Sequence, residues 1–211
     1  MDIKRLYVDL GVDTKEEASK LISIGDMAVF TGEAIIQGNR IISKALDNRA
    51  GCYMLIEAMK QIQNNDKDLY FVFTTQEEVG LRGAKTAAYT VDPEYAIAVD
   101  VTDTGDTPEC NVMSVKLGDG AAIKVMDRSI MCDPDVRSAM LEAAKRNNIS
   151  YQLEIMTDGG TDAGAVHLSR AGVKTGGISL PTRYIHSPSE MADTRDLKAC
   201  IELLTRTIEI L

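Results

Sequence analysis

Four carboxylates and one imidazole carry the chemical potential of this sequence. Asp47 stands in Lys44-Ala45-Leu46-Asp47-Asn48-Arg49, Glu77 and Glu78 are adjacent, Asp100 ends Ala96-Ile97-Ala98-Val99-Asp100, and His186 lies in Arg183-Tyr184-Ile185-His186-Ser187. The acidic residues at 77, 78 and 100 each end or directly follow an apolar, β-branched run, and in an open α/β sheet the ends of such strands are where ligands sit. Carboxylates converging there repel one another, and most would be driven to protonate unless a cation neutralised them. The set therefore reads as a divalent-metal site, with room for two ions and one nitrogen ligand of the kind zinc or cobalt prefers. Consecutive side chains leaving a strand point in different directions, so one member of Glu77-Glu78 can hold a metal while the other stays free as a base. Plainer readings stand beside these: adjacent glutamates are common on solvated surfaces, Asp47 precedes a predicted helix as an N-cap would, and Asp100 suits a strand-ending turn.

The other histidine, His167, is flanked by Val166 and Leu168 in a predicted helix and reads as a packed, hydrogen-bonded residue. Gly159-Gly160-Thr161-Asp162-Ala163-Gly164 has neither GxGxxG order nor a P-loop lysine, which weakens a nucleotide reading. No serine or cysteine nucleophile with a paired histidine is evident.

Alternating elements must position these residues. After residue 40 the pattern predicts a short β-like run over 41–45, a helix over 49–63 stopped by Asn64-Asn65-Asp66, and a buried strand over 69–75. A turn over 76–81, a short helix over 83–89 and a second buried strand over 95–101 follow. The remainder reads as strand 121–126, helix 134–147 capped by Asp133, strand 151–157, helix 160–170 with Thr161 or Asp162 at its cap, strand 173–180 and an amphipathic helix over 194–211. Strands alternating with helices imply βαβ units in an α/β fold with a largely parallel or mixed sheet. The first forty residues differ: one short helix over 14–21, then short strands punctuated by glycines over 25–42.

At 211 residues, with 45% apolar composition and a net charge of −9, the chain can bury a core and is a poor candidate for nucleic acid, whose phosphates need a cationic surface. No uncharged apolar run approaches the ~20 residues of a spanning helix, and Met1-Asp2-Ile3-Lys4-Arg5 lacks the apolar core of a secretory signal. The four scattered cysteines read as free thiols of a cytoplasmic protein.

Taken together, Lys44 to Arg49, Thr75-Gln76-Glu77-Glu78-Val79-Gly80-Leu81-Arg82-Gly83-Ala84, Val99-Asp100, Gly160-Thr161-Asp162-Ala163 and Tyr184 to Ser187 resemble the di-metal aminopeptidases of the glutamyl and tetrahedral aminopeptidase type. Relatives of that family have sometimes carried the label endoglucanase or cellulase. The resemblance implies a three-layer metallopeptidase-like sandwich, with residues 44–211 as its catalytic domain and 1–43 as the tail of an inserted β-rich domain. It also implies roles: Asp47 bridging two ions, Glu77 as general base, Glu78 and His186 ligating one ion and Asp100 the other. Small peptides would lose their N-terminal residues to hydrolysis at two divalent ions (zinc, cobalt or manganese), in a homo-oligomer when full length. The family has a further histidine ligand upstream of these motifs, whereas this chain has no histidine before position 167. The chain therefore reads as the C-terminal part of a longer enzyme, with the Asp100 site one histidine short. A fragment, an inactive remnant kept for binding or assembly, and a partner supplying the missing half are all open. A glycosidase using paired carboxylates such as Glu77 and Asp100 is a further alternative, weakened by the absence of tryptophan.

Overall fold

The computed structural model describes residues 5–63, 66–110 and 112–211, in two compact units, 1–32 and 33–211. In the first, α1 (Lys15–Leu21) starts where Thr14 Oγ1 accepts the Glu17 N–H at 3.2 Å, and none of its residues is buried.

The second unit runs β1 (Ile35–Gln37), β2 (Arg40–Ser43), α2 (Leu46–Gln61), α3 (Arg82–Val91), β3 (Tyr95–Thr102), β4 (Ala121–Met126), α4 (Pro134–Arg146), β5 (Tyr151–Ile155), α5 (Ala163–Val166), β6 (Lys174–Arg183), β7 (Glu190–Asp193) and α6 (Thr194–Ile210). Its sheet is mixed: β1, β2, β7, β6, β4 and β5 lie side by side in that order, and β3 pairs with β6. β3 runs parallel to β6, β4 parallel to β5, and the other pairs are antiparallel. The α/β class expected from the alternation is the observed one. Because β2 and β6 are both antiparallel to β7, the carboxyl ends of β2, β3 and β6 share one end of the sheet. Asp47 follows β2, Asp100 lies near the end of β3 and His186 follows β6, so this topology brings them together.

The core forms where α2, α4 and α6 meet the sheet, with Met54, Ile123, Val136, Met140, Ile178 and Leu203 fully buried. The mid-strand glycine Gly176 belongs to this packing, since a Cβ there would meet Val136 Cγ1 at 2.6 Å. Lys124, also buried, pairs with Glu154, which accepts Thr102 Oγ1–H at 2.9 Å and Ser179 Oγ–H at 2.6 Å. A buried charge is tolerable only with partners of this kind.

Several sequence expectations need correction. Residues 69–75 form no strand, and Tyr70, Val72 and Phe73 are exposed. A strand exists through its neighbours, and neither this segment nor the second edge of β3 meets a pairing partner among the described residues. The helix expected over 160–170 shrinks to α5, because Gly160 and Gly164 serve close approach to Ser129 and Arg170 turns left-handed (φ 50). Within 25–42 the only strands are β1 and β2, joined at Gly38-Asn39 with Gly38 at φ 60, while β7 was not foreseen. α2 ends at Gln61, and the expected Asn64-Asn65 stop lies outside the described residues. Among the described residues no helix is long and apolar enough to cross a membrane, and the four cysteines are free thiols.

Candidate metal centre

Left-handed Ala45 (φ 56) turns the chain from β2 into α2, and Asp47 and Asn48 keep non-helical dihedrals across a cis peptide bond. Regular helix starts after Asn48, whose Oδ1 accepts the Gly51 N–H and whose Nδ2 donates to the Val99 carbonyl, both at 2.9 Å. One side chain thus caps the helix and ties Asp47 to the strand carrying Asp100. Gly51 is required for this cap, because a Cβ there would stand 2.2 Å from Asn48 Oδ1.

Glu77 and Glu78 sit on a closed turn. The Glu77 carbonyl accepts the N–H groups of Gly80 (3.0 Å) and Leu81 (2.9 Å), and the Thr75 carbonyl accepts that of Gly83 (3.0 Å). Gln76 (φ 61), Gly80 (φ 116) and Leu81 (φ 55) all adopt left-handed backbone, as do Tyr184 (φ 60) and His186 (φ 62) beside them in function. Such conformations cost energy in non-glycine residues and collect where a site needs an exact side-chain direction.

The outcome is a convergence of three side chains. His186 Nε2 lies 3.0 Å from Asp47 Oδ2 and 3.1 Å from Glu78 Oε1, and one donor atom from each residue falls within 4.8 Å of the others. Ligands each about 2.0–2.2 Å from one tetrahedral ion stand roughly 3.4 Å apart, so the spacing fits a divalent cation. Two carboxylate oxygens and an imidazole nitrogen suit zinc, cobalt or manganese.

Electrostatics point the same way. Burial, then the Glu78 charge, push Asp47 up to about 6. Burial and the Glu78, Asp162 and Asp47 charges push Glu77 up to about 7, which suits a group that exchanges a proton near neutrality. Asp100 is held well above the ordinary carboxylate range by burial, with Asp47, Glu77 and Asp162 adding to it. Its Oδ1 accepts the Val101 N–H at 2.9 Å, and it lies outside the three-residue convergence. His167 is half-buried, with Nδ1 3.0 Å from the Ala163 carbonyl oxygen, and is not part of the group either.

Two residues here were missed in the sequence. Asn48 is one. The other is Glu190, buried at the start of β7, whose Oε2 accepts the Asp47 N–H and whose Oε1 accepts the His186 N–H, each at 3.0 Å. One buried carboxylate therefore fixes the backbone of two converging residues. Its only sequence signal is a glutamate four positions after His186.

Known proteins share this arrangement of chain. An aminopeptidase from Desulfurococcus kamchatkensis, APDkam598, superposes with a TM-score of 0.91 at 41% identity, over 96% of this chain and 58% of its own. The lysyl aminopeptidase of Pyrococcus furiosus is 36% identical over 99% of this chain and 60% of its own length. A Pyrococcus horikoshii TET1 peptidase described as assembling into a tetrahedron or a large octahedral shell matches at TM-score 0.79 and 36% identity, over 94% of this chain and 59% of its own. The chain thus spans about three fifths of the length of these relatives. Residues 1–203 match the model of the M42 glutamyl aminopeptidases, and with these similarities they show that the chain belongs to that family.

Proposed function

We propose that this chain carries the catalytic residues of a metal-dependent aminopeptidase that removes N-terminal residues from small peptides. The observation that carries the proposal is the convergence of Asp47, Glu78 and His186, with a third carboxylate, Glu77, adjacent to Glu78 in the chain and pushed up to about 7, first of all by burial. Asp47, Glu78 and His186 would hold one divalent ion; Asp47 and Asp100 would hold a second, at a site one imidazole short in a chain with two histidines. Bound there, such ions polarise a peptide carbonyl and lower the pKa of water.

The chain's own groups do the rest. Glu77 takes a proton from the attacking water and returns it to the leaving amine, a cycle its raised pKa favours. Asn48 and Glu190 keep the ligand-bearing backbone in place. In this reading residues 44–211 form the catalytic part and 1–43 the remainder of a β-rich insertion. The protein is cytoplasmic and assembles into a homo-oligomer in its full-length form, an assembly like that described for the TET1 relative.

Glu77→Gln tests the proposal. Release of N-terminal residues from a set of short peptides should fall about 10²–10⁴-fold, while metal content by elemental analysis stays that of the wild type. Undiminished turnover would remove Glu77 from the mechanism. The missing histidine favours a second reading, an inactive chain retained for binding or assembly; it expects no hydrolysis even with added zinc, cobalt or manganese. The glycosidase reading expects chelator-resistant hydrolysis of a β-glucan instead.

A further inference from the structure

Asp162 belongs to a motif that the mechanism above leaves without a role. It occupies the N-cap position of α5, yet its carboxylate makes no cap hydrogen bond there. Thr161 Oγ1 instead accepts the Ala163 N–H at 3.3 Å. The Asp162 backbone is already helical (φ −50, ψ −25), so Thr161 does the capping and the Asp162 carboxylate is left for another partner. Here the side chain turns away and accepts the Thr74 Oγ1–H on Oδ2 at 2.6 Å, across 88 positions of sequence. Its other oxygen, Oδ1, is buried without a hydrogen-bond partner.

Thr74 is the residue immediately before the closed turn that carries Glu77 and Glu78. That turn is hydrogen-bonded mainly to itself, through the Gly80, Leu81, Arg82 and Gly83 N–H groups and the Arg82–Gln76 side-chain pair. A self-contained turn keeps its shape but does not fix its own position. The other end of the tether is firmly placed: a Cβ at Gly160 or Gly164 would meet Ser129 Oγ at 2.8 or 2.3 Å, so this segment lies directly on the 127–130 turn. Asp127 Oδ1 holds that turn by accepting from Ser129 N, Ser129 Oγ and Ile130 N.

We infer that Asp162 is a positioning residue: through Thr74 it sets where the Glu77–Glu78 turn stands relative to Asp47 and His186. This rests on the proposed metal centre but not on its hydrolytic activity. Keeping one carboxylate oxygen buried and unpaired is costly for stability and is explained by a constraint elsewhere.

Cobalt(II) titration of the full chain, read by its visible absorption spectrum and by calorimetry, tests the inference in wild type, Thr74→Val, Thr74→Ser and Asp162→Ala. Thr74→Val keeps the shape and removes the donor; it and Asp162→Ala should bind cobalt roughly tenfold to a hundredfold more weakly, with an altered ligand-field spectrum. Thr74→Ser restores the donor and should restore both. Where peptide turnover is measurable, kcat should fall with KM within about twofold, as for a displaced base and unchanged substrate contacts. Wild-type cobalt affinity and spectrum in Thr74→Val would overturn the inference, as would equal loss in Thr74→Ser. A wild type that binds cobalt but cleaves no peptide refutes the proposed activity while leaving the tether measurable. A wild type that binds no cobalt refutes the metal centre and this inference with it.

Discussion

At the scale of single residues, the centre is a concentration of negative charge whose backbone Asn48 and Glu190 hold in place by hydrogen bonds. Asp47 at about 6, Glu77 at about 7 and Asp100, all raised first of all by burial, bind protons in the folded chain that the unfolded chain has released. The same is true of Asp196, raised to about 6 by burial although Gly118 and Gly120 donate to it. A folded state holding more protons loses stability as pH rises. Metal-free protein should therefore become less stable from about pH 4 to above pH 7, read as a falling thermal midpoint in chelator. Asp106, kept ionised chiefly by the Arg183 guanidinium, acts in the opposite sense: its contribution is present above the ordinary aspartate value and is lost as pH falls below it. Saturating cobalt should reverse the slope of the site residues, because a cation stabilises their ionised forms, and leave the Asp196 contribution in place. Unchanged midpoints across that range in chelator would refute the charge picture. Glu190→Gln makes a sharper test, since an amide can accept only one of the two N–H groups that Glu190 accepts. It should cost about 1.5–3 kcal/mol by denaturant unfolding and weaken metal binding; a variant with wild-type stability and affinity would leave the clamp without a function.

At the scale of elements, the site depends on strands ending at a common edge and on helices that approach the sheet closely. α4 lies against β6 at Gly176, where an added Cβ would meet Val136 Cγ1 at 2.6 Å and Met140 Cε at 3.0 Å. Gly176→Ala should therefore destabilise the chain by about 1–3 kcal/mol through overpacking. β6 leads directly to His186, so a spacing error there is expected to reach the centre as weaker metal binding. Equal stability of Gly176→Ala and wild type would show that α4 yields freely. Helices with explicit caps were predictable to within a residue or two: Asp133 accepts the Asp135 and Val136 N–H groups at the start of α4, and Asp193 accepts that of Arg195 at the start of α6. The strand expected over 69–75 was not, because apolar composition records burial preference and says nothing about a neighbour with which to form a ladder.

At the scale of the whole molecule, that unpaired segment is an interaction hazard. Tyr70 is 65% exposed, Phe73 47% and Val72 41%, and the second edge of β3 has no described pairing partner. Exposed edges and apolar segments promote association. The chain should elute from gel filtration as oligomers or aggregates, and Val72→Lys with Phe73→Ser should shift it toward smaller species; a monodisperse wild-type monomer would count against this. The sequence by itself determined the α/β class, most helices and the residue types of the centre, because hydrophobic period, caps and strand-end carboxylates are local signals. It also carried the family, through the string from Thr75 to Ala84 and its companion motifs. Only the tertiary structure decided that Asp47, Glu78 and His186 converge while Asp100 lies outside that group of three, and that Asn48 and Glu190 hold the backbone that carries them. Those facts depend on which strand lies beside which and on backbone N–H groups meeting a buried carboxylate. Neither spacing nor composition encodes a contact between residues so far apart in the chain.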